Sequence, residues 1–413
     1  MYDIGSLDNI YSSCTRRNDF SIPQKENQEL LYFNGNSLGL QCKQSRDYLL
    51  QVMDMRATLG IEGYFTTKDQ RLTYYESLLP LMASIVWGKE GEVAIMNTLT
   101  VNLHCALAKF YRPSPEKDKI IIESTIFPSD RYALVSHCQL HGLDPQEVII
   151  EIPTNAGGYV IDDEQVYETI DTYGKETALI LLWWVNYLSG QVFDMQKITE
   201  VWHSQGCIVW FDLAHAAGNI PLKLHDRDVD FAVRCNYKYL NAWPGAIGWL
   251  FQHQRFADNN DTHLAWRRWH DKQTRFDMWP EFMPIPWAEW LQISCPDVLA
   301  LASLRWALET CCSVEQGDLF AKSRLLTKRV MEILQQYPDH FTLITPTDES
   351  KRWAQVSFTV KQNPRLFFEQ LTDSGVVCDR REPNVIRIAP VPLYNIFYEI
   401  EQLKEKIAHI LSL

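Results

Sequence analysis

The chain has 413 residues, 46% hydrophobic and 22% charged, with a formal net charge of −13. That balance is ordinary for a globular protein and argues against a general nucleic-acid binder, which needs a basic face. The longest apolar run, Ala178 to Val185, is far too short to span a bilayer.

The length suits one large domain plus a smaller one. The ten cysteines stand singly, apart from the adjacent Cys311 and Cys312, with no C-x-x-C. Reduced thiols are therefore expected. No basic-then-apolar leader opens the sequence, so the expected location is cytoplasmic.

In chain order, residues 1–30 are polar and mixed and read as an N-terminal arm. L-Y-F-N-G-N-S-L-G-L follows, with Gly35 and Gly39 expected at positive φ. Asp47 to Leu59 and Tyr74 to Trp87 carry helical patterns. From Glu92 the chain alternates. Strand-length apolar runs are K-I-I-I-E, E-V-I-I-E-I-P, A-L-I-L-L-W-W-V, C-I-V-W-F-D, D-F-A-V-R-C and A-I-G-W-L-F. Polar helical stretches such as Asp162–Tyr173 and Met195–Gln205 separate most of them. Continuous apolar strands between helices imply a mostly parallel sheet covered on both faces.

Residues 253–296 break this rhythm, being rich in Trp, Arg, His and Pro. So long an irregular stretch is usually functional or an interface. Helical patterns over Pro296–Glu309 and Gln316–Gln336 precede the alternating runs F-T-L-I-T-P, A-Q-V-S-F-T-V and V-I-R-I-A. With helices at Arg365–Ser374 and Tyr394–Leu411, these imply a smaller α+β domain at the C-terminus. The expected division is an arm over 1–45 that packs with the small domain, a large domain over 46–300 and the small domain over 301–413.

Two residues carry the chemistry. Asp212 closes C-I-V-W-F-D, and Lys238 follows F-A-V-R-C-N-Y 26 residues further on. Pyridoxal phosphate needs such a pair: an amine that condenses with the aldehyde, and a carboxylate that keeps the pyridine nitrogen protonated. A helix-capping Asp and a solvated Lys fit the same spacing. His215, three residues after Asp212, makes a D-x-x-H pattern, but no further ligands follow at metal spacing, so no metal site is expected. Thr98, Leu99 and Thr100 open a helix whose N–H groups suit a phosphate, or else form an ordinary cap.

The letters say more than the spacing. F-D-L-A-H-A-A-G-N, N-Y-K-Y-L-N, Y-F-N-G-N-S-L-G-L, N-T-L-T-V-N-L-H, F-P-S-D and R-I-A-P-V-P-L-Y-N, taken together, resemble kynureninases. Those are pyridoxal-phosphate enzymes of the aspartate-aminotransferase fold, and the resemblance runs from about residue 30 to the C-terminus. It implies an α/β fold with a mostly parallel, seven-stranded-type sheet covered by helices on both faces, and a smaller α+β domain.

The resemblance makes Lys238 the cofactor lysine and Asp212 the partner of the pyridine nitrogen, with His215 nearby. It gives the phosphate to the Leu99 backbone, the Thr100 hydroxyl and Trp269, with Cys295 where a hydrogen-bonding Thr or Asn is common. It stacks Phe127 on the pyridine, with Ser129 and Asp130 completing that motif. Tyr237 would reach the phosphate and serve as proton donor. Arg387 would grip the substrate's α-carboxylate bidentately; a structural ion pair is its plainer role. Asn36, Ser37, Tyr64, Trp183 and Trp243 are placed around the substrate.

The implied reaction is hydrolysis of the β–γ carbon bond of kynurenine or 3-hydroxykynurenine to anthranilate or its 3-hydroxy form, plus alanine. A homodimer with sites at the interface is implied, the 253–296 segment crossing to the partner. The chain departs from the family where Trp183 replaces a small hydroxyl residue and Trp184 a histidine. It departs again where Trp243 and Pro244 precede Gly245, and in R-R-W-H-D around Trp269. Three readings follow: a kynureninase, a related enzyme acting on a different amino acid, and a silent scaffold. If Trp183 and Trp243 face the pocket, kynurenine is expected to be a weak substrate relative to another amino acid.

Overall fold

The computed structural model describes residues 4–66, 73–155, 158–257 and 285–412. Seven strands form the main sheet: β1 (Val93–Ile95), β2 (Lys119–Glu123), β3 (Ile149–Ile152), β4 (Thr177–Trp183), β5 (Ile208–Asp212), β6 (Phe231–Arg234) and β7 (Trp249–Gln252). Their spatial order is β1-β7-β6-β5-β4-β2-β3. All neighbours run parallel except β7, which is antiparallel to both β6 and β1. The expected mostly parallel sheet is present.

The apolar runs are continuous because both faces are buried. Leu179, Leu181, Trp183 and Trp210 point into one core layer. Ile180, Leu182, Trp184, Val209 and Phe211 point into the other. This is the period of two of a pleated strand. Helices α3 (Leu99–Phe110) and α4 (Pro128–Leu140) cover the first face. The second lies under α1 (Ser45–Leu59), α2 (Leu79–Val86), α5 (Asp163–Tyr173), α6 (Met195–Ser204) and α7 (Val298–Cys312). Each fully buried aliphatic or aromatic side chain contributes about 1.5–3 kcal/mol, so the two layers hold the sheet.

The helix expected over Tyr74–Trp87 is shorter than its pattern. Tyr74–Leu78 forms a 3-10 turn, and α2 begins at Leu79 with Pro80 in its first turn. Proline lacks an N–H and is tolerated only where that donor is unused. Asp297 caps α7 by accepting from the Leu299 and Ala300 N–H groups. The expected boundary between 300 and 301 falls inside this helix.

A second, four-stranded sheet orders β8 (Phe341–Leu343), β9 (Val356–Val360), β11 (Val385–Ile388) and β10 (Asp379–Arg381), all antiparallel. Helices α8 (Gln316–Leu334), α9 (Pro364–Asp373) and α10 (Phe397–Leu411) bury their apolar faces with it. The N-terminal arm joins this body. Leu31 and Phe33 enter its core, Leu31–Tyr32 pairs with Val376–Val377, and Arg17 binds Glu399. No helix among the described residues is long and apolar enough to cross a membrane.

Candidate functional site

The sheet places its chemistry beyond the carboxyl ends of its parallel strands, where open α/β sheets bind ligands. Asp212, last in β5, is in register with Trp183, last in β4, and with Val233 in β6. After β6 the chain folds back on itself. Asn241, at φ 59°, donates its N–H to the Lys238 carbonyl at 2.9 Å, and Ala242 N–H reaches the Asn236 carbonyl at 3.0 Å. The turn thrusts Lys238 toward Asp212. Gly39 braces it from the other side, its N–H donating to the Tyr237 carbonyl at 2.7 Å.

Gly39 and Gly35 do not have positive φ, contrary to expectation. They are glycines because of close approach. A Cβ on Gly39 would lie 2.3 Å from the Lys238 carbonyl oxygen, and one on Gly35 would lie 2.1 Å from Val391 Cγ2.

These groups enclose a cavity of about 290 Å³, near the lower end of the roughly 300–1,000 Å³ common for ligand sites. It is lined by Asp212, His215, Tyr237 and Lys238, by Leu99, Thr100, Phe127, Ser129 and Asp130, and by Asn36, Ser37, Trp183 and Arg387. Larger concavities of about 760 and 670 Å³ lie along Arg131–Glu151 and around Arg17–Glu29. Neither collects the sheet's carboxyl ends, and we place the site in the smaller cavity for that reason.

Burial sets the electrostatics. It lowers the Lys238 amine below the usual lysine range; the Arg387 charge adds to this, while Cys235, Asp212 and Asp130 oppose it. An amine that can lose its proton is what a nucleophilic or basic lysine needs. Burial pushes Asp212 up to about 6, against the Ala214 N–H and the Lys238 charge. Burial, then the Asp212 charge, raises Asp130 well above the carboxylate range, while the Trp183 indole works the other way. Burial, with the charges of Lys238 and Arg387, keeps the His215 imidazole neutral well below its ordinary range.

The cavity has two ends. At one, the N-termini of α3 and α4 converge. Neither Thr98 nor Phe127, at their caps, supplies a side-chain hydrogen bond to the helix. The first-turn N–H groups thus remain available for an anion, with the dipoles in support. The hydroxyls of Thr100 and Ser129 lie 3.3 Å apart beside them. At the other end Arg387, 1% exposed, faces Ser37 and the Tyr187 carbonyl.

Between the ends stand Asp212 and a set of rings. Asp212 Oδ1 accepts the Ala214 N–H at 2.6 Å; its Oδ2 is buried and meets no N–H donor, and the carboxyl also interacts with that of Asp130. A protonated ring nitrogen would complete it. The Phe127 and His215 rings lie 5.9 and 5.3 Å from that of Trp183. An anion cradle, a carboxylate oxygen without an N–H donor, flanking rings and a lysine together fit pyridoxal phosphate.

Trp183 is in the wall. Its indole N–H donates to Asp130 Oδ2 at 2.9 Å, and the Lys238 Nζ sits 5.5 Å from its ring centroid. Trp184, of opposite strand parity, faces the other core layer and donates to the Phe193 carbonyl. Trp243 is not in the wall: the Asn241 turn carries it outward, and it is 50% exposed. Tyr64, on the 3-10 turn Gly60–Tyr64, and the exposed Cys295 also lie outside the cavity lining. Trp269 falls outside the described residues.

Several participants escaped the sequence reading. Glu123, last in β2, is fully buried and accepts the Trp183 N–H at 2.7 Å and the Asn186 amide at 2.5 Å. Burial, with the Asp212 charge, pushes its carboxyl up to about 7 against those two hydrogen bonds. K-I-I-I-E ends in an acid just as C-I-V-W-F-D does, so a signal existed. Tyr187, Asp379 and Arg381 had none. Away from the cavity, Glu92, His225 and His253 bring three ligand atoms within 4.8 Å. The Glu92 carboxylate already accepts from the Lys89 and Gln254 N–H groups, and the two imidazoles are stacked 5° from parallel. Parallel stacked rings do not aim lone pairs at a common ion.

Residues 319–407 match the kynureninase C-terminal domain family. The chain is 45% identical over 395 residues to the kynureninase of Xanthomonas campestris pv. campestris (strain 8004), covering 95% of this chain and 93% of that one. It is 43% identical over 380 residues to the kynureninase of Myxococcus xanthus (strain DK1622), covering 92% and 89%. Among solved structures, an apo cysteine desulfurase from Thermococcus onnurineus NA1 superposes with a TM-score of 0.77 at 17% identity, covering 100% and 99%. A C-DES chain with glycine covalently linked to its pyridoxal phosphate gives 0.78 at 17% identity, covering 95% and 98%. At those identities the structural likeness shows the fold alone.

Proposed function

The chain belongs to the kynureninase family, and on that premise we propose that it is a pyridoxal-phosphate-dependent hydrolase of L-kynurenine or 3-hydroxykynurenine. The observation that carries this is the meeting of Lys238, Asp212 and Arg387 in one cavity of about 290 Å³. The products are anthranilate or 3-hydroxyanthranilate and L-alanine; water supplies the hydroxyl to the acyl carbon and a proton to the β-carbon.

Pyridoxal phosphate, when bound, supplies an aldehyde for the amino group and a ring that takes up electron density. Asp212 would hold its ring nitrogen, Phe127 and His215 would flank its faces, and Thr100, Ser129 and the α3 N-terminus would hold its phosphate. Lys238, lowered by burial, removes the substrate's α-proton as general base. Tyr237 lines the same cavity and is the acid assigned to the β-carbon. Burial, with the charges of Cys235 and Asp212, raises its phenol, so it keeps its proton until the β-carbon demands it. The Arg387 charge faces the α-carboxylate. The assembly is a homodimer in the cytoplasm.

Trp183 favours a second reading, an enzyme of this family with a different amino-acid substrate. Its ring fills wall space and its N–H is spent on Asp130. Steady-state kinetics of the cofactor-loaded protein separate the two. A kynureninase should turn over L-kynurenine or its 3-hydroxy form with kcat/KM of at least about 10⁴ M⁻¹s⁻¹. Weak turnover that Trp183→Thr improves would favour the second reading, and no turnover of either substrate would reject the first.

A further inference from the structure

Strand β6 ends in a charge. Arg234 is the only charged residue in F-A-V-R-C, and it is fully buried, 0% exposed. Its Nε donates to the Cys235 carbonyl at 2.6 Å, while Nη1 and Nη2 are buried with no hydrogen-bond partner. Strand alternation points it into the core layer of Trp249, its cross-strand neighbour, whose indole N–H is likewise unpartnered. Burial lowers the guanidinium to about 10, against the side chains of Cys235, Cys311, Asp212 and Tyr239, so it stays cationic at neutral pH. A buried cation without a counter-ion is costly. It also acts at longer range than one in water.

The register says what that charge meets. Asp212 pairs with Val233, the residue before Arg234. The bond to the Cys235 carbonyl draws the guanidinium toward the carboxyl end of β6, and Cys235 lines the cavity. The guanidinium thus lies behind the cavity wall, and Arg234 and Asp212 each feel the other's charge. Cys311, in α7, and Tyr239 face it as well. Burial raises that thiol to about 12 and that phenol above its ordinary range, so both are neutral near pH 7. Asp212 in turn is faced by Asp130 of α4, by Glu123 of β2, by Tyr237 and Lys238 of the loop after β6, and by Arg234. The two carboxyls and the phenol bring it no positive charge. The Lys238 amine is committed to the cofactor's aldehyde. Arg234 is the cation that stays.

We propose that Arg234 is a positioning residue for the cofactor ring: its unpaired charge, behind the sheet, keeps Asp212 ionised so that the carboxylate can hold a protonated pyridine nitrogen. This rests on the assignment of Asp212 in the proposed function and adds the residue that maintains it.

The test is calorimetric, on the full cofactor-free chain, with pyridoxine 5′-phosphate. That ligand keeps the ring nitrogen and the phosphate but carries an alcohol in place of the aldehyde, so Lys238 cannot condense with it. Asp212 holds the nitrogen when ionised, and a nearby cation favours the ionised form. Removing the cation therefore moves the loss of binding to higher pH. Arg234→Met should weaken binding more at about pH 6.5 than at about pH 8.5. The ratio of variant to parent Kd should grow roughly three- to tenfold between them, as when the carboxyl titrates about one to one and a half pH units higher. Arg234→Lys should recover most of the loss at the lower pH, where its amine is charged. In an Asp212→Asn background the pH-dependent part should vanish. A ratio equal at both pH values, or one that survives in Asp212→Asn, would make Arg234 a structural residue and overturn the proposal. So would an Arg234→Met chain that fails to fold, because an apolar side chain of similar volume replaces an unpaired buried cation without loss. If Asp212→Asn alone leaves binding unchanged, the assignment of Asp212 falls and takes this role with it. If it weakens binding while the Arg234→Met ratio stays flat, only the role of Arg234 falls.

Discussion

At the scale of single residues, the site is built from carboxyl groups that burial keeps from ionising easily. Asp212 is raised from 3.8 to about 6. Below about pH 4 the folded and unfolded chains both keep this proton. Between about pH 4 and 6 only the folded chain keeps it, so Asp212 removes stability from the cofactor-free protein as the pH rises through that window. The cofactor-free Asp212→Asn protein should therefore melt above its parent at pH 8, with the gap closing toward pH 4, and it should bind pyridoxal phosphate weakly. Melting curves at the two pH values check this; a gap that does not change with pH would remove the buried-charge explanation. Asp212 and Lys238 were legible because each stands at the end of an apolar run with a chemical reason to be there. Arg387 was legible only from the letters around it. Asp379 and Arg381 were not, because a hairpin register eight residues long brings them to Arg387 and nothing in the local pattern announces that register. Trp243 misled for a related reason: five residues after Lys238 looked near, but the left-handed Asn241 reverses the chain in between.

At the scale of elements, six of the seven main strands were legible because burial on both faces makes them continuously apolar; Val93–Ile95, only three residues long, was not, and the antiparallel run of Trp249–Gln252 left no mark in the order of strand and helix. The same alternation separates Trp183 from Trp184, since only Trp183 shares parity with Leu179 and Leu181. The role of the segment around Gly39 was not legible. It works by contact with a loop about 200 positions away in sequence, and contact of that kind leaves no periodic trace. Gly39→Ala would drive a methyl against the Lys238 carbonyl and shift the loop that aims the amine. Misplacement by about 1 Å can cost on the order of a hundredfold in rate, so turnover should fall at least about tenfold while the far-UV circular dichroism stays that of the parent. Unchanged turnover would show that the loop yields without moving the lysine. Glu123→Ala makes a second case. It strands the Trp183 N–H and one of the two Asn186 amide N–H donors, the other still bonded to the Thr125 hydroxyl, and each stranded buried donor costs about 1–3 kcal/mol. Urea unfolding should show a loss of at least about 2 kcal/mol, and a loss below 0.5 would mean that water replaces the carboxylate.

At the scale of the whole molecule, the two sheets meet at the cavity: the main, mostly parallel sheet and its loops give Asp212 and Lys238, and the small antiparallel sheet with the N-terminal arm gives Arg387 and Ser37. Ile61, Phe65, Trp87 and Trp243 are each 40% or more exposed, and the homodimer proposed above is open to direct test. Light scattering of the loaded enzyme at assay concentration should give a dimer; a fully active monomer would refute that assembly. The claim on which everything else depends is that Lys238 is the residue that takes the cofactor. Borohydride reduction of the protein loaded with pyridoxal phosphate, followed by peptide mass mapping, tests it most directly. The expected result is a pyridoxyl adduct on the peptide that contains Lys238, absent from an otherwise folded and inactive Lys238→Ala variant. An adduct on another lysine, or none at all, would contradict it.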